Sequence, residues 1–211
     1  MTLTSNLFRI IFSISFILIS FSLIAEPTLE EVVVSARKVD ESVQDVPIAM
    51  SVFTSSDIDD AGIERPEDFI ALTPNVVMAN TVNVGDTLVT IRGLTSTRDA
   101  ESNFAFVVDG VLQTNPNAFN RELLDIAQIE VLKGPQGALY GRNATSGAIL
   151  ITTKAPSEES ESTGVIGMGV NNSSKVQFVN SSMIGDNTYT RFSVSTRETD
   201  GEHTNAVSYT H

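Results

Sequence analysis

Cysteine is absent from all 211 residues, and histidine occurs only at His203 and His211. The first absence excludes a disulfide framework, thiol catalysis and a lipid-bearing N-terminal cysteine. The two histidines stand in the tail with no second ligand at metal spacing and no H-E-x-x-H pattern, so the sequence points to no metal and no cofactor. Basic residues are scarce: 13 Lys and Arg against 26 Asp and Glu leave a formal charge of −13. A phosphate backbone needs clustered cations, so nucleic acid is excluded as a partner. Nucleotide and hydrolase signatures are missing as well. Ser146 in A-T-S-G lacks the first glycine of a nucleophile elbow, Lys133 precedes the glycine run instead of closing it, and Gly137 to Gly141 misses G-x-G-x-x-G. No enzyme is read from this chain, and its length suits one medium domain or a domain and the start of another.

What is there begins with an export signal. Residues 1–25 carry one charge, Arg9, then an apolar run over residues 10–24 and the small Ala25. Leu23 departs from the usual small residue, which leaves an uncleaved anchor open, while Ser13, Ser15, Ser20 and Ser22 dilute the run and favour cleavage. Loss of Arg9 leaves 12 basic against 26 acidic residues, a formal charge of −14.

Next come Glu30, Glu31, Val32, Val33, Val34, Ser35 and Ala36, an acidic lead into three valines, followed by a charged stretch over residues 37–45 with no periodicity to hold it in a core. A sticky strand on a flexible tether suits β-augmentation, in which an extended peptide adds to the edge of a partner's sheet; a plain edge strand reads the same way. Residues 46–53 are expected to form a first strand with Pro47 near its beginning. A short helix follows, opened by Ser56 and Asp59 and stopped at Gly62, then a second over residues 66–72, opened by Pro66 and ended before Pro74. The cluster Asp57, Asp59 and Asp60 before Gly62 is not a calcium loop, because Ala61 and Asp68 occupy positions that need an oxygen ligand and a bidentate Glu.

Residues 89–94, V-T-I-R-G-L, read as a strand carrying Arg92 into Gly93; a lone Arg there is usually a surface residue, while its apolar neighbours fit partial burial, a setting in which it needs a carboxylate. Residues 104–111 read as a hairpin turning at Asp109-Gly110. A capped short helix is expected over residues 120–124. The densest signal lies at residues 129–156: strands at 129–132 and 148–153, the second central, flank Gly134, Gly137, Gly141 and Gly147. Such glycines take positive φ or admit a neighbouring backbone where a Cβ would clash. After a solvated linker from Ser157 with Glu158, Glu159 and Glu161, apolar residues alternate: Ile166, Met168 and Val170, then Val176 and Phe178, then Phe192 and Val194. Three strands of roughly 9–11 residues follow from that period, wall strands of a transmembrane β-barrel or a soluble meander.

Val131, Lys133, Gly134, Pro135, Gly137, Leu139, Tyr140 and Gly141, followed by Gly147, Ile149, Ile151, Thr153 and Lys154, resemble the closing motif of the plug domain of TonB-dependent outer-membrane receptors. Arg92-Gly93 is similar to the I-R-G motif of that family, Asp109-Gly110 to its V-D-G-V hairpin, and residues 30–36 to its TonB box. The resemblance implies an α+β plug domain, a small mixed sheet with short helices, followed by about three antiparallel strands of an incomplete transmembrane β-barrel. The implied divisions are a signal peptide (1–25), TonB box and flexible tether (26–45), plug (46–156) and start of the barrel (157–211). It further implies Arg92 at the plug–barrel boundary facing acidic groups, and ligand-facing loops at residues 80–87, 95–102 and 113–117. The implied partners are the periplasmic domain of TonB, outer-membrane lipid and a small ligand such as a ferric siderophore. A box this close to the cleavage site leaves no room for a signalling domain before it. Family barrels close with about 22 strands. Room for three, ending at His211 without a terminal aromatic, reads as an incomplete receptor whose wall strands stay unformed around a soluble plug. The alternative is a stand-alone periplasmic plug-like module that binds TonB or ligand without transport.

Overall fold

The computed structural model describes residues 31–80, 87–97, 101–185 and 187–200. The export signal at 1–25, Glu30, most of the loop at 80–87, part of the loop at 95–102, and both histidines lie outside the described residues. The chain divides into two units, Met1–Val32 and Val33–His211, and everything below belongs to the second.

Strands β1 (Val33–Val34) and β2 (Glu41–Ser42) form a small antiparallel pair. Then follow β3 (Met50–Thr54), helices α1 (Ser55–Ala61) and α2 (Pro66–Ala71), and a three-stranded antiparallel sheet of β4 (Val76–Asn80), β5 (Thr87–Ile91) and β6 (Leu94–Thr95). β7 (Phe104–Val108), β8 (Val111–Gln113), β9 (Ile126–Lys133) and β10 (Gly147–Thr153) complete a five-stranded sheet ordered β3-β9-β10-β7-β8. A short helix α3 (Gly137–Tyr140) joins β9 to β10. Only β10 and β7 run parallel, so the sheet is mixed. β10 is central as expected, its first five residues buried, because a strand covered on both faces must be apolar at every position.

Ile129, Val131, Ile149, Ile151, Phe104 and Phe106 line one face of this sheet and pack with Ile58, Phe69, Ile70 and Phe119 into one core. Phe119 sits edge-on to three rings, with centroids 5.1 Å from Phe104, 5.1 Å from Phe106 and 6.4 Å from Phe69. Such T-shaped pairs add about 0.5–1.5 kcal/mol each beyond burial.

Several boundaries differ from expectation for local reasons. The first strand begins at Met50, past Pro47, and α1 opens two residues early: Thr54 is its cap, accepting from the Asp57 N–H at 3.3 Å while Asp57 accepts from the Thr54 N–H at 2.8 Å. Gly62 stops it in the left-handed region, φ 64°. Residues 120–124 are not helical. A 3-10 turn at Pro116–Ala118 precedes them, and Leu123 is drawn into the core with its N–H donating to Glu64 O at 2.7 Å, a tertiary bond that replaces a helical one.

The three antiparallel strands expected after the plug are formed. β11 (Glu161–Met168), β12 (Ser174–Met183) and β13 (Tyr189–Glu198) make an antiparallel meander, and the linker ends sooner than expected because Glu161 already pairs with Ser181. One parity of this meander, Ile166, Met168, Val176, Phe178, Phe192 and Val194, is exposed. The other turns Lys175, Arg191 and Arg197 onto plug carboxylates. Apolar outside and polar inside is the alternation of a membrane barrel wall.

Candidate functional site

Residues 33–36, expected to be a sticky strand on a flexible tether, are docked on the plug. Val34 and Ala36 are almost fully buried at 1% and 0% exposure, while Val33 remains half exposed. Three side chains of the plug hold the segment. The Tyr140 hydroxyl donates to Ala36 O at 2.7 Å, the Gln128 amide donates to Val33 O at 3.0 Å, and Glu130 Oε1 accepts from Ser35 N–H at 3.1 Å and Ser35 Oγ at 3.3 Å. The return strand β2 pairs Ser42 with Val33 and Glu41 with Val34, and Arg37 bridges to Glu41 at 3.2 Å. The absence of periodicity in residues 37–45 did not forecast this, because the segment is held by side-chain bonds to its carbonyls and by two buried residues rather than by an apolar face.

Burial raises the Glu130 carboxyl above the ordinary carboxylate range; Ser35's hydrogen bonds oppose the shift and the charge of Asp40 adds to it. Burial, and then the charge of Glu130, push the Tyr140 phenol up to about 12, so it remains a hydrogen-bond donor at neutral pH. Lys38 lies over the Tyr140 ring, 5.8 Å from its centroid. Between this segment, Tyr140 and the sheet surface of Val107, Leu112 and Leu150 runs a cleft of about 630 Å³.

The glycine-rich motif serves this arrangement. Gly134 (φ 120°) and Gly141 (φ 75°) hold conformations that side chains disfavour. At Gly147 a Cβ would stand 2.2 Å from Leu132 O on the adjacent strand. Gly137 meets neither expectation: it begins α3 with ordinary φ and open space around it. Pro135 is exposed between the motif's two strands, and Lys133 donates from Nζ to Ser51 Oγ at 3.0 Å on β3.

Arg92 is not a partly buried strand residue. With φ 50°, and Gly93 at φ 82°, it forms the two-residue turn joining β5 to β6, is exposed, and has no carboxylate partner among the described residues. Its Nη1 lies over Gly134, 3.3 Å from where a Cβ would stand, and its N–H donates to Asn75 O at 2.9 Å. A turn with both residues at positive φ matches the twist of its flanking strands, which explains the early end of β5. Asp109-Gly110 makes the same kind of turn, φ 47° and 78°, as expected. The Asp109 carboxylate also accepts from Thr153 N–H at 2.8 Å and Thr153 Oγ1 at 3.0 Å, tying the hairpin to the end of β10.

Charges at the wall were missed in the sequence. Arg191 of β13 grips Asp125 in a two-pronged pair, Nε–Oδ2 2.5 Å and Nη2–Oδ1 2.7 Å, with both side chains about nine-tenths buried. Lys175 reaches Glu64 at 3.0 Å and Glu122 at 3.3 Å, and Arg197 reaches Glu64 at 2.8 Å. Burial pushes the Glu64 carboxyl up, but bonds and charge from Lys175 and Arg197 outweigh it and the net shift is downward. The signal was present as three cations on the inward parity of β12 and β13, but their acidic partners lie far away in sequence.

The family profile of the TonB-dependent receptor plug domain matches residues 42–148. The pesticin receptor of Yersinia enterocolitica is 30% identical over 132 residues, 62% of this chain and 19% of that one. The vitamin B12 transporter BtuB of Vibrio vulnificus is 27% identical over 186 residues, 85% of this chain and 30% of that one. The crystal structure of the ferric yersiniabactin uptake receptor FyuA from Yersinia pestis superposes with a TM-score of 0.63 at 28% identity, covering 70% of this chain and 24% of that one. The chain thus spans less than a third of the length of these proteins. The family profile covers half of the chain, and the chain belongs to the TonB-dependent receptor plug family of the cell outer membrane.

Proposed function

We propose that this chain is the plug and first wall strands of a TonB-dependent uptake receptor for a ferric siderophore, with residues 30–36 as the segment that TonB engages. The observation that carries the reading is a two-residue valine strand, Val33–Val34, docked on the plug with Val33 half exposed. An extended strand with one exposed valine offers main-chain groups to an edge of another sheet once its own pairing opens. Iron as cargo is supported by the ferric yersiniabactin receptor among the similar structures, a neighbour above a quarter identity. The exposed apolar stripe of β11 to β13 supports lipid as the outer surroundings of the wall.

The test is titration of the chain with the periplasmic domain of TonB, comparing wild type with Val33→Pro. Proline removes a ladder N–H and restricts the strand, so binding is expected to fall by about fivefold or more. Equal binding by both, or none by either, would sink the assignment of the box. Ferric siderophore retention by the receptor carrying this plug, lost on exchange for an unrelated plug, tests the cargo.

A further inference from the structure

Glu130 lies on the sheet face opposite the aromatic core, with Val52 and Leu150 as its cross-strand neighbours. It is only 2% exposed. Oε1 takes the Ser35 N–H, the Ser35 hydroxyl and the Gln128 amide at 3.3 Å. Oε2 is buried and has no hydrogen-bond partner among the described residues, and no Lys or Arg pairs with this carboxyl among them. The titratable groups facing it are Asp40 from the docked segment, which repels a second negative charge, and Tyr140 from α3. Lys38 is engaged over the Tyr140 ring instead. Burying the charge of a carboxylate with no cation beside it is costly, whereas the neutral acid has no charge to desolvate.

We propose that Glu130 is a proton-controlled clasp on the docked segment: as the neutral acid it holds residues 33–36 against the plug, and as the carboxylate it lets them go. The docked state raises the affinity of Glu130 for its proton, so linkage requires docking to be strongest below the ordinary carboxyl value of 4.5 and to weaken as pH rises through the raised value. Release would free Val33 and Val34 from β2 and expose the main-chain groups that β-augmentation uses. That last consequence rests on the function proposed above; the clasp itself does not.

The absence of cysteine makes the experiment direct. Val34→Cys places one thiol at a position 1% exposed, and its labelling rate in the full chain reports opening. Val39→Cys, 60% exposed, corrects for the intrinsic rise of thiol reactivity with pH. Corrected labelling is expected to increase as pH rises from the ordinary carboxyl value of 4.5 through the raised one, by about tenfold for each unit separating the docked and released values. Glu130→Gln should flatten that profile. Asp40→Asn, at an exposed residue, should move its midpoint to lower pH by removing the repulsion. Tyr140→Phe should raise labelling about fivefold at every pH with the slope intact, the opening expected from one lost hydrogen bond. A flat wild-type profile, an unchanged slope in Glu130→Gln, or a midpoint unmoved by Asp40→Asn would overturn the clasp. TonB-domain binding measured on the same variants separates the two ideas: a pH-dependent clasp without any TonB binding refutes the proposed partner alone.

Discussion

Gly147→Ala and Gly137→Ala alter the same motif by the same methyl group and should have opposite consequences. At Gly147 the new Cβ would lie 2.2 Å from Leu132 O and 3.2 Å from Ile91 Cδ1. The nearer atom is backbone of the neighbouring strand and cannot rotate aside, so β9 and β10 must part by about 0.8 Å (3.0 − 2.2) to reach the shortest contact that real side chains make. Bonds beside it depend on that spacing: Gly134 N–H to Ser146 O at 2.9 Å, and the ladder where Gly147 pairs with Lys133 and Ala148 with Leu132. Losing two such buried backbone bonds costs about 2–6 kcal/mol, and the reduced freedom of the unfolded chain returns about 0.4–1 kcal/mol, for a net loss of about 3 kcal/mol. That is a large part of the roughly 5–15 kcal/mol that stabilises a typical domain. At Gly137 the added methyl meets nothing within 4 Å and φ is ordinary, so the change should be neutral or slightly stabilising. Urea unfolding followed by circular dichroism measures both, and a midpoint lowered by about 1–1.5 M is expected for Gly147→Ala alone. A loss below about 1 kcal/mol at Gly147, or an equal loss at Gly137, would refute the close-approach account.

Two further outcomes follow from the charged and phenolic groups. Asp125→Asn leaves Arg191 nearly buried with only Glu161 at 3.4 Å to balance it, and should destabilise the docking of β13 by about 3–5 kcal/mol, read as faster proteolysis of the wall strands while the plug resists; equal proteolysis would contradict it. Tyr140 should titrate at about 12 in a spectrophotometric titration, its raised value adding stability in full below its ordinary 10.0 and losing it as pH rises toward 12; an unchanged profile in Tyr140→Phe would show the assignment to be wrong.

Legibility varied with the range of the interactions involved. The Asp109-Gly110 hairpin, the Gly62 stop and the central strand β10 were readable because each depends on residues adjacent in the chain: a pair able to take positive φ, a residue without a Cβ, an unbroken apolar run. Arg92 was misread because the same apolar flanks suit a strand and a tight hairpin, and only the pairing of Ile91 with Leu94 distinguishes them. The helix expected at residues 120–124 failed because Leu123 bonds to Glu64, some sixty positions earlier. The wall strands were readable as strands, but their order on the plug depends on ion pairs between residues 64, 122 and 125 and residues 175, 191 and 197.

Sequence alone determined the class of this protein: its motifs are runs of neighbouring residues whose backbone demands can be met in few ways, and the period-two alternation after residue 160 specifies an inside and an outside before any partner is known. Tertiary structure decided what those parts do to one another. Whether Glu130 is a solvated or a buried acid, whether residues 33–36 swing free or lie docked, and which carboxylates meet Arg191 depend on groups up to about a hundred positions apart. Burial and electrostatic pairing are properties of positions in space, and no local pattern records them.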